Sequence, residues 1–176
     1  MERQMIWLLA LTIAGIAAGI DLKSRRIPNW LTIPGFFLGL IVNQIVYGWD
    51  GLKWGFAGAV AMLAVLLPIV LLRGLGAGDW KLMGTLGAVL GLRNVVYVFL
   101  TAILIAGVMA AVQMVWQRRT IETLSNMWEL LRGFFVYGLK PHPEIQLGNA
   151  RASHLPFGVA AAAATLICYG IGTIRL

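Results

Sequence analysis

The sequence predicts an all-α fold: a polytopic membrane bundle of about six transmembrane helices, with an amphipathic helix beside it. Three observations lead there. Of 176 residues, 60% are hydrophobic and only 12% charged, about half the charged share of an average soluble domain. The mean hydropathy is +0.83, too high for disorder and too high for a water-covered globule of this size. The apolar residues are gathered into long runs, and the basic residues lie at the ends of those runs, as lipid headgroups and the positive-inside rule require.

The first run, Met5 to Ile20, has sixteen residues and rises about 24 Å, short of a hydrocarbon core of about 30 Å. Its length resembles a signal-peptide core. Glu2 stands against Arg3 ahead of it, however, and the strong basic cluster follows the run, so a retained span is the better reading. Asp21 then falls at or just inside the membrane boundary and opens a loop that runs to Asn29. Pro28 disfavours helix at Ile27 and breaks the chain there. The second span covers 30–48 and the third 52–72, with Pro68 a candidate kink. The glycine-rich stretch Arg73-Gly74-Leu75-Gly76-Ala77-Gly78-Asp79-Trp80-Lys81 interrupts the chain before a short fourth span, 79–92. Its apolar part, Leu82 to Leu92, rises only about 16 Å, so it needs an earlier start, thinning of the bilayer or burial. The fifth span is 95–116 and the sixth 155–174.

Residues 117–153 form a polar segment. Within 121–137, Ile121, Leu124, Met127, Trp128, Leu131, Phe134 and Phe135 share one helical face, opposite Glu122, Ser125, Glu129 and Arg132. Such a helix lies in the interface or packs on another part of the protein. With the N-terminus outside, the inner segments hold ten Lys or Arg and the outer ones four, which places 117–153 in the cytoplasm. The whole chain, 1–176, reads as one membrane-embedded domain.

Several function classes drop out. Cys168 is the only cysteine, so neither an internal disulfide nor a CxxC zinc site is available. His142 and His154 have no partner cluster, and no metal or other cofactor is expected. The charge of +7 follows the membrane pattern, and no nucleic acid is expected as a partner.

Seven carboxylates remain, few enough to inspect singly. Glu2 is terminal, Asp50 lies in a short outer loop, and Glu122, Glu129 and Glu144 lie in the polar segment. Asp21 and Asp79 differ: each begins an Asp-x-Lys triplet, each sits where an apolar run meets a break, and both fall on the cytoplasmic side. Ionisable residues at membrane depth are costly and mark sites. Either one alone also fits a helix cap paired with a nearby cation. As a pair, two carboxylates that meet across helices share a proton. The ionised one can draw a proton from water, and the protonated one can hydrogen-bond a scissile carbonyl and then supply the leaving amine. Gly76 and Gly78 permit unusual backbone angles and close approach of another chain; close helix packing is the plainer account, and the better one for Gly84, Gly87 and Gly91. Lys23 and Lys81 either favour the ionised carboxylate or contact lipid phosphate.

Gly76-Ala77-Gly78-Asp79-Trp80-Lys81 resembles the GxGD-x-K motif of the type IV prepilin peptidases, which are membrane aspartic proteases. Asp21 to Asn29, ending in Ile27-Pro28-Asn29, resembles their first aspartate motif, and Leu155-Pro156-Phe157-Gly158 resembles the opening of their last helix. The resemblance spans Met5 to Trp116 and the final run. It implies that Asp21 and Asp79 are the catalytic pair, with Gly76, Gly78, Lys81, Lys23, Pro28 and Asn29 as motif and substrate-access residues. It implies prepilin-like substrates, with a short basic leader ahead of a hydrophobic helix, cut at the cytoplasmic face of a bacterial or archaeal cytoplasmic membrane. Many family members carry an N-terminal domain with paired cysteines and also methylate the new pilin N-terminus. Here the first span starts near Met5, so the short peptidase-only branch of Flp-type pili is expected, without methyltransferase activity.

Two other classes compete with this reading. A small proton- or cation-coupled transporter also uses membrane aspartates, but the flanks of the two Asp-x-Lys triplets do not match as repeats should. A non-catalytic pilus or secretion assembly subunit would leave both aspartates expendable. A homo-oligomer is compatible with the sequence.

Overall fold

The computed structural model describes residues 2–71, 75–116 and 156–174. Apart from short connections at 25–28 and 75–76 and Pro156, they are helical, with no strand among the described residues. The elements are α1 (Glu2–Ser24), α2 (Asn29–Leu71), α3 (Ala77–Trp116) and α4 (Phe157–Ile174). Three of them are long and apolar enough to cross a membrane, and α4 contributes a shorter apolar helix. The chain divides into two compact units, Met1–Ala106 with Pro156–Leu176, and Gly107–Leu155; the account that follows concerns the first. The polar segment 117–153, its amphipathic stretch 121–137, and both histidines lie outside the described residues.

α1 runs past the expected end of the first span. The helix continues through Asp21 to Ser24, so Asp21 sits in its last turn, and the loop opens at Arg25. Polar residues are tolerated in a last turn, and Lys23 complements the negative end of the helix dipole. The Ser24 hydroxyl donates to Ile20 O at 2.8 Å, occupying one carbonyl that the helix end orphans. Arg25 adopts the left-handed conformation, φ 52, and its N–H bonds Asp21 O at 2.8 Å, which stops the helix as a C-terminal glycine usually does.

α2 and α3 are each too long for one crossing. Forty-three residues would extend about 64 Å as a straight helix. Gly48 interrupts α2 with φ 63 and ψ −148, a combination closed to side chains with a Cβ. Beyond it the chain returns along itself: a Cβ on Gly55 would stand 3.3 Å from Leu40 and 3.5 Å from Asn43 Nδ2, whereas a straight helix separates residues 40 and 55 by about 22 Å. Pro34 and Pro68 sit inside α2 with helical backbone angles, so the turn belongs to Gly48 and not to proline. In α3 the break is Gly91, φ 74 and ψ 169. Close packing, expected for Gly91, therefore gives way to backbone conformation as its main role. Among the described residues, four helices, two of them broken once, yield six helical segments.

The 77–90 segment is exposed or half-buried over its first turn and buried all round beyond it, every residue from Leu82 to Gly91 being in the core. It starts at Ala77, and protein covers its short apolar stretch. Small residues make this possible: Cβ atoms on Gly39, Gly58 and Gly84 would collide with Val89, with the Gly87 carbonyl and with Leu63 respectively, all at 2.7 Å or less. In a bilayer, where apolar burial gives little drive, such backbone proximity is a chief source of helix association. Asn43 completes the packing. The break at Gly91 leaves the carbonyls of the preceding turn without helical partners, and Asn43 Nδ2 donates to Ala88 O at 2.9 Å and Val89 O at 2.7 Å.

α1 and α4 pack antiparallel through small residues, Ala10, Ala14 and Ala17 against Ala160, Ala161 and Ala164, all 0% exposed. Trp7 meets Tyr169 at one end, with ring centroids 6.1 Å apart. Large apolar side chains point outward instead. Ile33, Phe37, Ile41 and Ile45 recur every fourth residue and are all exposed, opposite the buried strip Gly35, Gly39 and Asn43. An exposed apolar stripe on a helix otherwise locked into a core is the surface that a bilayer covers.

Candidate active site

Asp21 and Asp79 come together at one end of the bundle. Asp21 is 7% exposed, which the length of α1 explains, since its last turn still lies against α4. Gly158, in the first turn of α4, donates its amide N–H to Asp21 Oδ2 at 2.9 Å. A Cβ on Gly158 would lie 3.0 Å from both Cβ and Oδ2 of Asp21, so the bond depends on a residue without a side chain. Asp79 is half-buried in the first turn of α3, and its Oδ2 lies over Gly76, 2.9 Å from where a Cβ would stand. The two carboxylates are near enough for the charge on Asp21 to act on Asp79.

Three contacts between the α1–α2 connection and the start of α3 create this meeting. Gly78 rests on Ile27, its Cβ position 3.1 Å from Ile27 N and Cβ. Lys81 Nζ donates to Asn29 Oδ1 at 2.9 Å. Thr85 Oγ1 donates to Thr32 O at 2.9 Å. On the other side of α3, Trp80 Nε1 donates to Leu63 O at 2.8 Å. Asp79 is thus fixed by neighbours on both flanks. Pro28 is half-buried, and its carbonyl accepts from the N–H groups of Leu31 and Thr32, starting α2.

The glycines serve close approach: neither Gly76 nor Gly78 is among the positive-φ residues, so the unusual angles expected for them are not used. Lys23 is exposed, and neither Lys23 nor Lys81 forms an ion pair with either aspartate; among the described residues the one ion pair is Lys53 with Asp50, at 3.4 Å. Gly158 is the residue that sequence reasoning did not place in the site. Its motif was visible, but a backbone amide leaves no mark in composition. An open groove of about 520 Å³ is lined by Ile20 and Ser24 of α1 and by Arg26, Ile27, Pro28, Asn29 and Trp30; neither aspartate is part of its lining. No group of three or more His, Cys, Asp or Glu able to hold a metal occurs among the described residues.

The chain is similar to the prepilin leader peptidase/N-methyltransferase of Escherichia coli (strain K12), 37% identical over 113 residues that cover 60% of this chain and 50% of that protein. It is 31% identical to the protein of the same name from Xanthomonas campestris over 101 residues, 54% of this chain and 35% of the relative. The Neisseria gonorrhoeae protein of that name is 34% identical over 103 residues, again 54% and 35%. The chain thus spans half the length or less of these relatives. No solved structure matches. Residues 8–111, more than half of the sequence and inclusive of both aspartates, match the type IV leader peptidase family, and the chain belongs to that family.

Proposed function

We propose that the chain is a membrane aspartic endopeptidase that removes the short basic leader from prepilin-like precursors at the cytoplasmic face of the cytoplasmic membrane. The observation that carries this reading is the meeting of Asp21 and Asp79 at one end of the bundle, on elements 58 positions apart in sequence. Membership of the leader peptidase family supports the substrate class.

The chemistry follows from two carboxylates that share one proton. The ionised carboxylate takes a proton from a water molecule, whose oxygen attacks the scissile carbonyl carbon. The protonated carboxyl hydrogen-bonds the carbonyl oxygen as negative charge develops there. The tetrahedral intermediate then collapses, the C–N bond breaks, and the leaving amine receives the proton. Gly76 keeps a Cβ away from the Asp79 carboxylate, so an extended peptide can reach it, while Gly78 lets Ile27 pack against the same turn. The substrate helix sits in the bilayer and offers its leader junction at the interface; the ten-to-four distribution of basic residues supports a cytoplasmic site.

Co-expression with a prepilin-like precursor tests the activity. Mass spectrometry of the product is expected to show loss of the leader and a new N-terminus at the leader–helix junction. An unchanged precursor beside normally accumulated enzyme contradicts the reading. Reporter fusions after Lys23 and after Lys81 are expected on the same, cytoplasmic, side.

A further inference from the structure

The Lys of GxGD-x-K invites an electrostatic role, because an ammonium two residues from Asp79 could favour its charge. The structure turns that side chain elsewhere. Lys81 Nζ donates to the Asn29 side-chain oxygen at 2.9 Å, a bond between residues 52 positions apart, and forms no ion pair with either aspartate. It is the middle rung of three: Ile27 under Gly78, Asn29 bonded to Lys81, and Thr32 O bonded to Thr85. Positions 78, 81 and 85 share one face of α3. The first rung is a steric contact with a glycine, and the third ends on a backbone carbonyl inside α2. Only the middle rung joins two side chains, and it does so where the chain enters α2.

Asn29 also lines an open groove at the end of α1 that carries Asp21, with Ile20 and Ser24 on one side and Ile27, Pro28, Asn29 and Trp30 on the other. The residue that Lys81 holds is therefore part of the groove wall. That wall is a short non-helical connection, Arg25 to Pro28, with few bonds of its own: Ser24 Oγ meets Arg26 O at 3.2 Å, and Pro28 O caps α2. Without the Lys81 bond, the Ile27–Gly78 contact and the Thr85–Thr32 bond on either side of it remain, and no side-chain bond reaches Asn29 from α3.

Resting on the peptidase reading, we propose that Lys81 is a positioning residue that acts through Asn29. It straps the 27–30 wall to the helix that carries Asp79, and the groove so fixed receives the substrate chain next to the scissile bond. The two sequence motifs, one with Asn29 and one with Lys81, are two halves of one fastening. An ammonium suits the task better than a neutral donor, since a charge-assisted hydrogen bond is shorter and stronger than a neutral one.

The test uses the full chain in lipid nanodiscs with a purified prepilin-like precursor. Asn29→Ala and Lys81→Met are each expected to raise KM about tenfold while kcat stays within about threefold, the pattern of lost substrate positioning. The double variant is expected to match the worse single variant, because both remove one interaction. Asn29→Asp, which keeps an acceptor for Lys81, is expected to hold KM within about threefold of the wild type. The pH dependence of kcat is expected to be the same in Lys81→Met and wild type. Amide hydrogen exchange adds a readout that needs no turnover: Lys81→Met is expected to speed exchange over residues 25–31 by about tenfold. Additive losses, a normal KM in Asn29→Ala, a displaced pH profile in Lys81→Met, or unchanged exchange over 25–31 each overturn the strap. Failure of the peptidase reading looks different, since the wild type itself then leaves the precursor uncut while the exchange measurement still decides the Lys81–Asn29 linkage.

Discussion

The amide of Gly158 donates to Oδ2 of Asp21 at 2.9 Å, although 137 positions separate them. The bond makes the last helix a support for the first. α4 holds one carboxylate, while the 77–90 segment carries the other, so the candidate site is assembled from both ends of the sequence. Because the donor is a backbone group in the first turn of a helix, its direction is set by the helix itself.

Gly158→Ala tests that support. The added methyl group would stand 3.0 Å from the Asp21 carboxylate, and Asp21 must move aside. The shift needed is a few tenths of an ångström, where a full 1 Å misplacement of a reacting group can cost about a hundredfold in rate. We expect single-turnover cleavage to fall about tenfold with normal accumulation of the protein in the membrane. Gly15→Ala is the control: nothing lies within 4 Å of its Cβ position, and cleavage is expected to stay at the wild-type rate.

Asn43 is expected to be a stability residue with no part in the chemistry. Its amide nitrogen caps carbonyls that the break at Gly91 exposes. Asn43→Leu leaves those carbonyls buried without a donor, which costs about 1–3 kcal/mol. Denaturant titration in mixed micelles is the measurement, and an unchanged midpoint contradicts the capping role.

Two buried threonines should respond in opposite ways. Thr85 Oγ1 donates to Thr32 O and lies 2.8 Å from Lys81 O, whereas Thr32 Oγ1 is buried with no partner. Thr85→Val is expected to destabilise by about 1 kcal/mol, the usual worth of an interhelical hydrogen bond in a membrane protein or slightly more. Thr32→Val removes an unsatisfied hydroxyl and is expected to be neutral or stabilising. The same unfolding assay compares them; an equal loss in both variants sinks the distinction.

Much of this fold was legible in the sequence because a bilayer imposes length. Apolar runs ending near Gly48 and Gly91 signalled breaks, and glycine with positive φ supplies both. Hydropathy misjudged the end of α1, since it registers where apolar residues stop, and the helix carries on through Asp21, Leu22, Lys23 and Ser24. The all-round burial of 82–91 was only one of three options for the short fourth run. Gly39, Gly58 and Gly87, which touch neighbouring backbone, decide for it. The pairing of Asp21 with Asp79 could be conjectured from their matching triplets, and the structure brings them to one end of the bundle. What holds each of them could not be read. Gly158 acts through its amide, Thr85 and Trp80 end on carbonyls, and a backbone acceptor is present at every residue.

The central claim is that Asp21 and Asp79 together perform the hydrolysis, and one measurement addresses it most directly. Asp21→Asn, Asp79→Asn and wild type are co-expressed with a prepilin-like precursor at matched enzyme levels, and leader removal is followed by mass. Each substitution preserves shape and removes one ionisable carboxyl. Both variants are expected to leave the precursor uncut while the wild type processes it. Continued processing by either variant, at wild-type rate and normal abundance, would contradict the dyad.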